Sequence, residues 1–98
     1  MTASKEKNRH LEKSIPPKIE RIQTGIRMEK RMIKVLKALA EYHEMSLGDL
    51  IEGIVLHVFE NILPFTETTR QRIAQLKSIY GMEYDVRASH QFVEDEEE

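Results

Sequence analysis

Apolar and polar positions alternate along residues 21 to 28 of this 98-residue chain. The apolar or methyl-bearing side chains occupy every second position: Ile22, Thr24, Ile26 and Met28. Polar or small residues fill the positions between them. Because successive side chains of a strand point to opposite faces, this period of two predicts a short β-strand with one apolar face.

The hydrophobic period changes at Glu29, where apolar residues begin to recur every three or four positions. This spacing predicts an amphipathic helix over about residues 29–44. Ser46 then precedes a second apolar stretch with an acidic residue, Asp49, three positions later, which is close to a capping box. We therefore expect a second helix that ends near Leu63, because Pro64 cannot continue it.

The second predicted helix is apolar around most of its circumference, so it must be buried on several sides. One strand and one other helix cannot bury such a helix within a single short chain, whereas a second copy of the chain can. The sequence therefore predicts an obligate homodimer. The residues expected in the dimer core are Ile22, Ile26, Met28, Leu36, Leu50, Ile51, Ile54, Val55, Val58 and Phe59.

The remainder of the chain divides by composition. Thr66 is a candidate N-cap for a third, weaker helix that ends at Gly81, and the last five residues are all acidic. We expect a flexible basic arm over residues 1–18, a dimerisation domain over 19–63, an accessory helix over 64–81 and an acidic tail over 82–98.

The net charge of −2 conceals a strong asymmetry between the two parts of the chain. Residues 1–37 carry 11 Lys and Arg against 4 Asp and Glu, whereas residues 38–98 carry 4 against 13. A basic part of this kind favours a polyanionic partner. The chain has no cysteine, no apolar leader and no stretch that could span a membrane, so we expect a cytoplasmic protein.

A strand over residues 22–28, a helix, the turn at residues 45–51 and a strongly apolar second helix together resemble the ribbon-helix-helix superfamily, of the Arc, MetJ and CopG type. The resemblance covers about residues 19–62. It implies a mainly α fold with one short β-strand, in which two chains intertwine through an intermolecular antiparallel β-ribbon. The third, C-terminal helix is an addition to that layout.

The resemblance also implies that the domain over 19–63 binds DNA, and it implies which residues contact the DNA. Outward-facing strand residues of the family read base edges, and by position these are Gln23, Gly25 and Arg27. Gln suits adenine and Arg suits guanine as bidentate partners. Gly25 departs from the family pattern, because it has no side chain with which to form a hydrogen bond. The residues expected to contact the DNA backbone are Arg21, Lys30, Arg31, Ser46, Leu47 and Gly48.

Other chemistries have little support in the sequence. The chain has no glycine-rich phosphate loop and no Cys nucleophile, so we expect no enzyme. His43 and His57 lie on different helices without the spacing of metal ligands, so neither a metal nor another cofactor is expected.

The leading hypothesis is a sequence-specific DNA-binding transcriptional regulator, a repressor, that acts as a dimer or as a tetramer on double-stranded DNA. An antitoxin or interaction module whose residues 64–98 bind a partner protein is the alternative from another class. A dimerisation module without DNA binding, suggested by Gly25, is a third. The acidic end could also fold back on the basic strand, a hypothesis that unchanged DNA affinity after removal of residues 94–98 would contradict.

Overall fold

The computed structural model describes residues 15–95 and is helical over that range. Its elements, in chain order, are α1 (Lys30–Tyr42), α2 (Leu47–Phe59), α3 (Glu67–Ile79) and a short 3-10 helix (Val86–Ala88). The three α-helices lie within the ranges that the hydrophobic periodicity predicts. Most of the predicted basic arm, residues 1–14, and the last three acidic residues lie outside the described part of the chain.

The mainly α character and the third helix are as predicted, but the predicted β-strand is wrong, and with it the intermolecular antiparallel β-ribbon of the ribbon-helix-helix fold. Between residues 15 and 95 no residue is in a strand, and residues 19–28, which we call the leading segment, have neither helix nor strand structure. Alternation specifies which side chains share a face, but a strand also needs a neighbour for its backbone N–H and C=O groups. Among residues 15–95 no second extended segment pairs with the leading segment.

Each helix begins at a side chain that accepts a hydrogen bond from its first turn. The three N-caps are Glu29, which accepts from the Met32 amide, Ser46, which accepts from the Asp49 amide, and Thr66, which accepts from the Thr69 amide. Such caps satisfy amide groups that have no partner inside the helix. The Ser46 and Thr66 caps are the two that the sequence pattern predicts.

Each helix is followed by a residue in the left-handed conformation. Glu44 follows α1 with φ 58°, Asn61 follows α2 with φ 59° and Gly81 follows α3 with φ 69°. After α1 the Met45 amide donates to the Ala40 carbonyl at 3.0 Å, which closes the helix end as in a Schellman motif. These closed ends account for the short connections between the helices.

The core of the described chain lies where α1 packs against both α2 and α3. Leu39, Ala40 and Leu50 form its buried centre, and Leu39 is 1% exposed. Partly buried residues from all three helices and the α2–α3 connection surround this centre: Leu36, Ile54, Phe65, Ile73 and Leu76. The third helix therefore shares the core of the first two. No helix in the described residues is long and apolar enough to cross a membrane.

Candidate nucleic-acid interface

The leading segment is held against the start of α2 by Arg21. Its guanidinium donates to Glu52 through Nε at 3.1 Å and through Nη2 at 2.9 Å, and Nη2 lies 3.6 Å from the Asp49 carboxylate. The hydrogen bond with Glu52 raises the pKa of Arg21, and the same bond lowers the pKa of Glu52. All three side chains are largely exposed, so this pairing fixes position more than it adds stability.

A groove of about 980 Å³ separates the leading segment from α1 and α2. Six residues predicted to contact DNA line it, three from the leading segment and three from the start of α2: Arg21, Gln23, Gly25, Ser46, Leu47 and Gly48. The two groups are more than twenty positions apart in sequence, and the Arg21 contacts with α2 bring them together. The apolar residues Ile22, Ile26, Ile33 and Ile51 line the same groove.

The first turn of α2 contributes backbone amides to this groove. Ser46 Oγ accepts from the Asp49 amide at 3.1 Å. The amides of Leu47 and Gly48 come before Leu50, whose amide donates to the Ser46 carbonyl, so they have no carbonyl partner inside the helix. A helix N-terminus carries partial positive charge and is suited to an anion such as phosphate. The carboxylate of Asp49 opposes an anion, and its pairing with Arg21 offsets that effect.

Arg27, a predicted base-reading residue, does not line the groove. Its guanidinium instead donates to Glu94 at 2.7 Å, and the two side chains are 86% and 69% exposed. Arg27 therefore lies outside the groove that Gln23 and Gly25 line, and it contacts Glu94 instead.

The two predicted DNA-backbone contacts on α1 have different surroundings. Arg31 pairs with Glu29 at 3.0 Å, donates to the Gly81 carbonyl at 3.1 Å and lies 5.5 Å from the centre of the Tyr84 ring. It is thus engaged in contacts within the protomer. Lys30 is exposed and forms no ion pair with any residue between 15 and 95.

A contact that the sequence did not reveal joins residues 82–95, which we call the C-terminal segment, to the start of α1. The Tyr84 hydroxyl donates to the Glu29 carboxylate, which also caps α1 and pairs with Arg31. Partial burial raises the pKa of Glu29, but the hydrogen bonds from Tyr84, Arg31 and Met32 outweigh it and lower that pKa to about 2. Burial and the same bond raise the pKa of Tyr84 to about 12.

We call Glu29, Arg31 and Tyr84 the C-terminal latch. No short motif signals it, because Glu is an unusual N-cap and its partner lies 55 positions away. The charge asymmetry between the two parts of the chain is the one sequence feature consistent with a contact between the acidic and the basic part.

The residues predicted for the dimer core fall into three groups. Leu50 is buried within the protomer, with Leu36 and Ile54 packed against the same core. Met28 and Ile51 are partly buried. The remaining five are exposed: Ile22, Ile26, Val55, Val58 and Phe59.

The exposed apolar residues of α2 continue from the groove. Ile51 lines the groove, and Val55, Val58 and Phe59 follow it at positions i+4, i+7 and i+8, so they lie on the same side of the helix. Phe59 is 79% exposed. We call these four residues the α2 stripe. Within the described part of the chain nothing covers its outer end.

Across residues 15–95 no three His, Asp or Glu side chains lie close enough together to hold a metal ion. His57, one of the histidines considered in the sequence, has its Nδ1 2.7 Å from the Gly53 carbonyl of its own helix. The fold and the site together define a small three-helix protein with a polar and apolar groove beside a helix N-terminus. No known family model, curated protein or solved structure matches this chain.

Proposed function

We propose that the protein is a homodimeric, sequence-specific DNA-binding regulator of transcription, a repressor, whose leading segment and α2 N-terminus contact double-stranded DNA. The observation that carries this proposal is the groove, which gathers six predicted DNA-contacting residues from two distant parts of the sequence. Their chemistry suits a duplex, since backbone amides and cations bind phosphates and an amide side chain can pair with adenine.

The charge distribution supports a polyanionic partner. Lys30, Lys34 and Lys37 are exposed and recur at spacings of four and three, so they share one face of α1. Lys37 also lines the groove. The lysine face therefore adjoins the groove and extends the surface that a phosphate backbone would follow.

We keep Gln23, Gly25 and Arg27 as the base-reading residues that the sequence predicts. Of these, Gln23 and Gly25 line the groove. A binding role of this kind requires neither catalysis nor a cofactor.

A second copy of the chain is the partner that the α2 stripe fits best. The stripe leaves Val55, Val58 and Phe59 exposed on one side of α2. An isologous contact between two copies would cover the same side chains on both. Ile22 of the leading segment, 82% exposed, adds to the apolar area that association would cover.

The proposal is tested by selecting binding sites from a randomised duplex pool and measuring affinity for the selected site by fluorescence anisotropy at several salt concentrations. We expect a short palindrome-like site and an affinity that falls as salt rises. Arg27→Ala should lose about 1–3 kcal/mol of discrimination against base changes in that site.

Arg87→Ala is the matched control, because Arg87 is also an exposed arginine but pairs locally with Asp85 on the 3-10 helix. It should leave site selection unchanged. Weak, sequence-blind binding that is identical in wild type, Arg27→Ala and Arg87→Ala would contradict the proposal.

Binding of a partner protein through the C-terminal segment is the second candidate function, as in an antitoxin. It is favoured by two valines of that segment, Val86 and Val93, which are 83% and 95% exposed. A stoichiometric complex that Val93→Arg disrupts, in a protein that still selects its DNA site, would support it. A partner complex whose affinity is unchanged by arginine at Val86 and at Val93 would contradict it.

A further inference from the structure

The C-terminal segment places an acidic side chain on the arginine that the proposed function assigns to base reading. Arg27 Nη2 and Glu94 Oε1 are 2.7 Å apart, and the two residues are separated by 67 positions in sequence. We propose that this contact is autoinhibitory: the acidic C-terminal segment occupies Arg27 in the free protein, and DNA must displace it. This inference rests on the proposed DNA-binding function.

The position of Glu94 follows from contacts that begin at α1. The latch bond from Tyr84 to Glu29 attaches the C-terminal segment two positions after Arg27. Phe92 packs edge-on against the Tyr84 ring, with ring centres 5.1 Å apart. Glu94 comes two positions after Phe92, so the contact between Phe92 and Tyr84 keeps Glu94 close to the latch and to Arg27. The Tyr84–Glu29 hydrogen bond and the Tyr84–Phe92 ring contact therefore help to position Glu94 beside Arg27.

The ion pair between Arg27 and Glu94 is weak enough for DNA to displace it. Both partners are largely exposed, and exposed ion pairs contribute little because water and salt screen them. The Glu94 carboxylate competes with a guanine or a phosphate for Arg27 Nη2, since all three acceptors use the same kind of donor. Loss of one such competitor should tighten DNA binding about two- to fivefold at low salt and less at high salt.

The test compares Glu94→Gln with Glu83→Gln in the full chain, using a fluorescein-labelled mixed-sequence DNA duplex and the selected site. Glu83 is an exposed acidic residue of the same segment and forms no ion pair with a described residue. Both variants change the net charge equally, so any general electrostatic effect is common to both. We expect Glu94→Gln to tighten binding and Glu83→Gln to leave it close to wild type.

A double-mutant cycle assigns the effect to Arg27. In the Arg27→Ala background, Glu94→Gln should have no further effect on affinity. Equal tightening by Glu94→Gln and Glu83→Gln, or tightening that persists without Arg27, would overturn the inference. Unchanged affinity in Glu94→Gln, with Arg27→Ala still weakened, would overturn it while leaving DNA binding intact.

Nuclear magnetic resonance provides a readout that does not depend on affinity. In the free protein, Arg27→Ala should shift the Glu94 amide resonance, and Arg87→Ala should not. Added duplex should move the Glu94 resonance of the wild type towards its position in Arg27→Ala. A Glu94 amide resonance that does not shift either in Arg27→Ala or on addition of the duplex overturns the inference. Absence of DNA binding by every variant overturns the proposed function together with it.

Discussion

Few side chains carry the stability of the protomer, and Leu39 is the most deeply buried of those in the described residues, at 1% exposure. Leu39→Ala would remove its contacts with α2 and α3 and leave a cavity. We expect a loss of about 2–5 kcal/mol in the free energy of unfolding, measured by urea denaturation. Val86→Ala, at a position that is 83% exposed, is the control and should change stability by less than about 0.5 kcal/mol.

The latch makes a second prediction at the residue scale. Tyr84→Phe removes the hydroxyl that donates to the Glu29 carboxylate, and we expect it to cost about 1–2 kcal/mol of stability at neutral pH. Tyr80→Phe is the matched control, because the Tyr80 hydroxyl makes no hydrogen bond with a described residue. Equal losses in the two variants would show that the latch adds nothing.

The latch also predicts how stability depends on pH. The pKa of Glu29 is lowered from 4.5 to about 2, so its contribution is present above pH 4.5 and is lost as pH falls towards 2. The pKa of Tyr84 is raised from 10.0 to about 12, so its contribution is present below pH 10 and is lost as pH rises towards 12. Tyr84→Phe should make the acid loss shallower and remove the alkaline one, as followed by thermal unfolding across pH.

At the scale of the element, the ends of the helices depend on backbone conformation more than on side-chain contacts. Glu44 follows α1 at φ 58°, a left-handed conformation that costs a non-glycine residue about 1 kcal/mol or more. Glu44→Gly relieves that cost, against the greater entropy of glycine in the unfolded chain. We expect a net gain of about 0.5 kcal/mol in stability.

Glu41→Gly provides the matched control for this prediction, because Glu41 is an exposed residue inside the last turn of α1. The same substitution there should destabilise the protein by about 1 kcal/mol. Thermal or urea unfolding measures both variants. Destabilisation of similar size in the two variants would show that the left-handed conformation at residue 44 carries no strain.

The elements also show where sequence patterns are reliable. The helices follow from local properties, namely a period of three to four and capping side chains at Ser46 and Thr66. The leading segment has an equally clear period of two, but it forms no strand in the described chain. A helix closes its hydrogen bonds within itself, whereas a strand depends on a neighbour that local sequence does not provide.

At the scale of the whole molecule, the exposed α2 stripe predicts association. We expect wild type to sediment as a dimer and Phe59→Arg to sediment as a monomer that retains its helical circular dichroism. Phe59 is exposed in the protomer, so this substitution leaves the protomer core intact. Desolvating an unpaired charge in an apolar interface is costly, which is why arginine disrupts it.

Ile79→Arg is the control for this prediction, since Ile79 is an exposed isoleucine at the end of α3, outside the stripe. It should leave the dimer unchanged. A wild type that remains monomeric at high concentration, or an Ile79→Arg variant that dissociates as completely as Phe59→Arg, would contradict the assignment of the α2 stripe to a second copy.

The candidate site was predictable only in part, for a physical reason. The sequence identified Gln23, Gly25, Ser46 and Gly48 by position, and the groove brings these residues together. It assigned Arg21 to the DNA backbone, whereas the structure shows its guanidinium paired with Glu52. An arginine has the same donors for a phosphate and for a carboxylate, so its residue type alone does not choose between them.

By itself, the sequence determined the three helices, the Ser46 and Thr66 caps, the apolar excess of α2 and the division of charge, because each depends on neighbouring residues or on composition. Only the tertiary structure decided that α3 joins the core, that the leading segment remains without strand pairing, and that the C-terminal segment reaches Glu29 and Arg27. These features depend on which distant groups meet in space, and hydrogen bonds and ion pairs form only between groups that the fold brings within a few ångströms.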